Sequence, residues 1–272
     1  MRLLILLALV LALPACQTNT HSNVTNNGLQ KLLTMPHRNP DYVARDGARH
    51  PAETLAFFDV QASMAVGEIW PSGGWYSELL APLLRDHGVY YAIGFSTTAA
   101  RTPQWRKNMV VKLNDKFAAH PHIYDQAIVT GLSVPDDVEI APEGSLDRVL
   151  TFRNIHNWMK GGYAEGVFTA MHKALKPGGI LGVVEHRAAD STSYADMVKS
   201  GYVSEREVIR LAKQAGFVLQ AKSEINANSK DTKNHPKGVW TLPPSLRLGE
   251  ERRAHYLNIG ESDRMTLKFI KP

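Results

Sequence analysis

The chain has 272 residues, 44% hydrophobic and 21% charged, with 31 basic against 26 acidic side chains and a formal net charge of +5. That length buries one sizeable core, and one domain with extra segments is the expectation. The basic residues are scattered among the acids, which argues against a nucleic-acid partner because phosphate binding needs clustered Lys and Arg. Cys16 is the only cysteine, so no internal disulfide can form.

In chain order, Met1 and Arg2 precede the apolar run "LLILLALVLAL", Leu3 to Leu13. It is short for a bilayer span and has the positive start and small-residue end of a secretory signal over residues 1–15. Cys16 closes "LPAC", which resembles the bacterial lipobox. That resemblance implies lipidation at Cys16, a membrane anchor and a periplasmic location, with Gln17 pointing to the outer membrane. Gln17 to Gly28 is too poor in apolar side chains to offset ordering entropy, so residues 16–44 read as a flexible tether and 45–272 as the domain.

Pro51 and Glu53 mark a helix start. A strand at Met64–Trp70, a helix at Trp75–Arg85 and a strand at Gly88–Phe95 follow. Next come a helical region near Pro103–Ala119 and strands at Asp125–Val129 and Ser145–Phe152. The helix Tyr163–Leu175 is expected to end in a "KPGG" turn, where Pro177 stops it and Gly178 and Gly179 take positive φ. "GILGVVEH" reads as a strand, Ser204 caps a helix Glu205–Ala215, and "FVLQAKSEI" and "DRMTLKFIKP" are the last strands. This alternation predicts a doubly wound, mostly parallel α/β sheet with helices on both faces.

Ligands of such sheets sit at the carboxyl ends of the strands, where the strand order reverses. That rule selects Glu68–Gly74, Gly94–Thr97, Thr151–Trp158, Glu185–Arg187 and Glu224–Asn228, which are polar or aromatic after apolar runs. They are expected to converge on one small-molecule cavity.

The segments Val66–Tyr76, Leu150–Trp158, Leu175–Ala189 and Lys222–Pro244 resemble those of class I S-adenosylmethionine-dependent methyltransferases, and of a bacterial family of predicted methyltransferases. The likeness runs from about Arg45 to Pro272. It implies a seven-stranded Rossmann-like sheet, S-adenosylmethionine as cofactor, and methyl transfer to a small molecule. Glu68 then takes the acidic position closing the first strand, Trp70 and Ser72 replace two loop glycines, Gly73 adds freedom and Gly74 keeps the last glycine. Arg153 and Asn154 complete the implied cofactor set. Gly94 stands where these enzymes carry an acid for the ribose hydroxyls, forgoing charge-assisted hydrogen bonds worth about 1.5–3 kcal/mol each.

The stretch "TFRNIHNWMK" reads as a polar loop. His156 is a candidate general base, since imidazole titrates near neutrality, or a histidine that shapes the loop. Asn157 and Trp158 are candidate substrate contacts, Trp158 as packing residue or cation-stacking wall. Glu185 and His186 are the other candidate catalytic residues: Glu185 can orient His156 or His186, bind a cationic acceptor, or pair with Arg187 or Arg153. His156, Glu185 and His186, with Glu224 as a further candidate, combine imidazole and carboxylate donors that suit zinc or a harder cation, but no close-spaced pair such as HExxH supports a metal, and none is assigned. The polar segment after the sixth predicted strand reads as a loop over the pocket mouth, offering Glu224, Asn226 and Lys237, with Arg264 near the terminus. Lys237 and Arg264 would meet an anionic acceptor group.

Two functions stay open. One is methyl transfer from S-adenosylmethionine by an exported lipoprotein. The other is an exported binding protein, or an enzyme of other chemistry, that has kept the fold. The second is motivated by Trp70, by Gly94, and by the cytoplasmic origin of the cofactor.

Overall fold

The computed structural model describes residues 28–272. The expected signal segment, Cys16 and the start of the tether lie outside the described residues.

The strands are β1 Ala65–Ile69, β2 Val89–Phe95, β3 Ile128–Leu132, β4 Leu146–Phe152, β5 Leu175–Ala188, β6 Val203–Ser204, β7 Val218–Ser223 and β8 Arg264–Ile270. They form an eight-stranded sheet with the order β3-β2-β1-β4-β5-β8-β7, and the two-residue β6 pairs with the end of β5. β1 to β5 run parallel, whereas β8 is antiparallel to both its neighbours. The chain winds outward from β1 to β3, then returns to the other side of β1 with β4. The tips of β1 and β4 are therefore the switch point.

Consecutive strand residues alternate between two apolar clusters: Ile93, Val149 and Val183 belong to one, Ala92, Leu150 and Val184 to the other. Both faces of the sheet are thus covered, which is why its central strands are apolar throughout. The helix Glu205–Gln214 starts where Ser204 Oγ accepts the Glu207 N–H at 3.2 Å, and it buries Val208, Leu211 and Ala212.

Four expectations are corrected. The fold begins before Arg45: Leu29 and Leu32 are buried in the second cluster, and Arg38 Nη2 donates to Asp46 Oδ1 at 2.9 Å. Two leucines and an ion pair fasten a stretch whose average composition reads as a tether. The "KPGG" stretch lies inside β5, Gly178 alone has positive φ (76°), and a register shift between Leu146 and Arg148 absorbs the irregularity. β3 starts three residues later than expected, because Asp125 is held by Arg85 at 2.8 Å and the strand lies at the sheet edge, where burial patterning is weak. "TFRNIHNWMK" is a helix over Ile155–Gly161, closed by Gly162 at φ 74°.

Candidate active site

A cavity of about 370 Å³ opens over the tips of β1, β4 and β5. The loop after β1 supplies Trp70–Gly73, Trp75 and Tyr76, the turn after β4 supplies Phe152–Asn154, His156 and Asn157, and β5 supplies His186. Trp240 and Pro243–Ser245 close it from the segment after β7, Glu261 and Ser262 from the approach to β8, and Tyr42, Arg45 and Arg49 from the N-terminal helical segment.

Glu185 is fully buried at the end of β5. Its Oε2 accepts the Ile155 N–H at 2.6 Å, its Oε1 accepts the His186 N–H at 2.8 Å, and His156 Nδ1 lies 3.1 Å from Oε1. With Nδ1–H donating to this carboxylate, His156 keeps Nε2 as an acceptor. The helix Ile155–Gly161 makes the arrangement possible, since its first N–H groups have no partner within the helix. His186 Nδ1 lies 2.6 Å from Ser262 Oγ. Burial, then the neighbouring His156 and arginines, holds the His186 pKa well below the ordinary value, so its ring is neutral at physiological pH.

His156, Glu185 and His186 each offer an atom within 4.8 Å of the others, the donor set that the sequence suggested by its residue types although not by close spacing, while Glu224 lies outside it. The Glu185 oxygens already accept hydrogen bonds from two backbone N–H groups and face His156, and that is the geometry of an orienting carboxylate.

Glu68, at the tip of β1, accepts from Tyr90 Oη at 2.6 Å and Ser77 Oγ at 3.2 Å, and burial pushes its pKa up to about 7. A group of arginines gathers around Glu261. Arg45 Nε, Arg49 Nε and Arg264 Nη1 reach Glu261 at 2.7, 3.0 and 3.0 Å. Burial opposes ionisation of Glu261, yet Arg49, Arg264 and Arg45 hold its pKa down at about 2. Arg153 has φ 62° and lines the cavity, and its guanidinium makes no hydrogen bond among the described residues. Burial, then the Arg264 charge, lowers its pKa to about 10.

The resemblance implies S-adenosylmethionine, and the residues test that fit. Trp70, at φ 49° and 6% exposed, sets its ring 4.4 Å from Phe95, 5.9 Å from Trp158 and 5.0 Å from the Arg106 guanidinium. The space it leaves beside Gly94, lined also by Met109, Val110 and Leu113, is about 10 Å³, no more than one water needs. Glu68, Arg153 and Asn154 suit the amino-acid end of the cofactor. The ribose side, beside Gly94, is filled by the Trp70 ring and does not fit.

The other expected residues sort clearly. Asn154 Nδ2 donates to Ile69 O at 2.8 Å and ties β4 to β1 beside the cavity, and Asn157 is an exposed wall residue. Trp158 is core, packed on Trp70 and Phe168. Gly74 serves the turn at φ 77° and does not line the cavity. Glu224 lies outside in an ion pair with Arg187 at 2.7 Å, and Asn226 is bonded to Thr54 and Thr266 at 3.0 Å. Lys237 is exposed away from the cavity, and Arg264 is buried behind Glu261 rather than facing a ligand. The arginines that do line the cavity are Arg153, Arg45 and Arg49. Sequence reading missed the last two because Arg45 sat on a presumed domain boundary, and their spacing of four, one helical turn, was the available signal.

No family profile matches the chain, and neither does any curated protein. Solved structures do. A SAM-dependent methyltransferase from Aquifex aeolicus aligns with TM-score 0.55 at 14% identity, over 91% of this chain and 98% of its own. A candidate sarcosine dimethylglycine methyltransferase from Galdieria sulphuraria gives 0.53 at 16%, over 84% and 86%. The 4+2 cyclase SpnF gives 0.57 at 14%, over 95% and 98%. The chain has the class I methyltransferase fold. At these identities the likeness speaks for the fold.

Proposed function

We propose that this chain is a small-molecule enzyme of the methyltransferase fold, working by proton transfer at His156 with Glu185 as its positioning residue. The observation that carries this reading is the His156–Glu185 contact of 3.1 Å beside a cavity of about 370 Å³. A substrate O–H or N–H placed against Nε2 would pass its proton there, and Glu185 would stabilise the imidazolium that forms. A positioned base contributes about 10²–10⁴ in rate. Because Glu185 is already fixed by the Ile155 and His186 N–H groups, little reorganisation accompanies the transfer. SpnF, described as a 4+2 cyclase, supports such a reading, since it shows this fold serving chemistry other than methylation.

A second reading, methyl transfer from S-adenosylmethionine to a small acceptor, is favoured by Glu68 at the acidic position beside the cavity and by the SAM-dependent structural neighbour. The cofactor would supply the methyl group, Glu68, Arg153 and Asn154 would hold its amino-acid end, and His156 would take the acceptor proton. The Trp70 ring would have to leave Phe95. Export as a lipoprotein anchored at Cys16, facing the periplasm from the outer membrane, belongs to both readings and rests on the "LLILLALVLALPAC" segment.

Two measurements test these readings. Diethyl pyrocarbonate should modify His156 in the folded protein, and Glu185→Gln should slow that modification; an unreactive His156 would end the proton-transfer reading. Calorimetry with S-adenosylmethionine and S-adenosylhomocysteine decides the second: submillimolar binding lost in Glu68→Ala would establish it, and absence of heat would remove it.

A further inference from the structure

We infer that the molecule taken by this cavity carries an oxyanion, a carboxylate or a phosphate, clamped by Arg153 with Arg45 and Arg49. The inference deepens the reading of the cavity as a substrate site and rests on it.

The charges around the cavity do not balance. Arg45, Arg49 and Arg264 share the single carboxylate of Glu261. Arg153, close enough to feel the charges of Arg264, Glu261 and Arg45, adds a fourth cation with no acceptor of its own among the described residues. The remaining nearby acids are committed elsewhere: Glu68 to Tyr90 and Ser77, and Glu185 to His156 and two backbone N–H groups. At neutral pH, Glu68 is only partly ionised.

Two further observations concern the arginines that line the cavity. Arg45 Nη2 is buried without a hydrogen-bond partner. Arg49, its guanidinium carbon 4.9 Å from the centre of the Trp75 ring, has its pKa lowered to about 9 by burial and then by the Arg153 charge. Guanidinium groups taken out of water are normally paired, because an uncompensated buried charge is costly. Several converging on an open space, with hydrogen-bonding capacity unspent, form a site complementary to a planar or tetrahedral oxyanion, which accepts from guanidinium forks at two oxygens. The His156 ring lines the same cavity, so an anion held here places the rest of its molecule beside the base.

The test uses the protein without any turnover, so a failure here leaves the His156 reactivity experiment untouched. The melting temperature is followed with inorganic phosphate, with succinate, and with sodium chloride at matched ionic strength. A saturable rise with phosphate or succinate above chloride is expected, and which of the two acts at lower concentration assigns the phosphate or carboxylate form. Arg153→Gln should weaken that anion at least about tenfold while leaving the ligand-free protein no less stable, since it removes an unpaired, half-buried charge. Arg153→Lys should recover part of the affinity. No rise above chloride, or undiminished affinity in Arg153→Gln, overturns the inference. Should Arg153→Gln not fold, phenylglyoxal labelling of the unaltered protein replaces it: the anion must protect Arg153, and equal labelling with and without it overturns the inference.

Discussion

The ring of Trp70 lies 4.4 Å from that of Phe95 and closes the space beside Gly94, although Trp70 stands at a loop position where the resemblance calls for glycine. Trp70→Gly therefore tests what the ring excludes. Losing a buried indole costs roughly 3–5 kcal/mol, offset by about 1–2 kcal/mol because glycine accepts φ 49° freely. Calorimetry should detect S-adenosylhomocysteine binding in the variant and much less in the parent. If the two behave alike, the ring is not what blocks the ribose side.

Glu261 is the hub of three arginines, so Glu261→Gln should lower stability by about 3–5 kcal/mol, as measured by urea unfolding. The pH dependence has a definite sign. The folded pKa of about 2 lies below the ordinary 4.5, so this stability is present above 4.5 and is lost as pH falls towards 2. The parent should lose this contribution in acid and the variant should not. A penalty under about 1 kcal/mol at neutral pH would mean that the arginines are effectively solvated.

Glu68 predicts the opposite trend. Its folded pKa of about 7 lies above the ordinary 4.5, so the folded chain holds a proton that the unfolded chain releases. Stability should decline as pH rises from 4.5 to 7, by a few kcal/mol. Glu68→Gln, which stays neutral, should flatten the profile between pH values of about 5 and 8 in denaturant unfolding. An unchanged slope would show that Glu68 is ionised throughout.

Cys16→Ser tests the anchor. The variant should move from the membrane fraction to the soluble periplasmic fraction of the producing cells, whereas the parent stays with the outer membrane. Retention of the variant on membranes would refute lipidation at Cys16.

The sheet and its switch point were legible in the sequence because both follow from local patterns. Apolar runs such as "GVVEH" and "RVLTF", separated by helical periods, mark buried strands of an alternating α/β sheet, and the polar residues just beyond them mark the rim, whereas the strand order and the antiparallel β8 came only from the structure. Glu68, Arg153, His156 and His186 were all found in this way, and all line the cavity. The helix Ile155–Gly161 was not found, since its polar residues look like a loop until Glu185 satisfies its first N–H.

By itself the sequence determined that strands alternate with helices and that their tips carry a polar rim, because periodicity is a property of neighbouring residues. Only the tertiary structure decided what the rim can bind. Arg45 meets Glu261 across 216 positions of chain, a pairing no local pattern encodes. The direction of the Trp70 ring likewise depends on Phe95, Trp158 and Arg106, which come from three other parts of the chain. Burial then fixes the chemistry: removed from water, the same residue types yield a raised carboxylate at Glu68, a neutral ring at His186 and arginines short of partners.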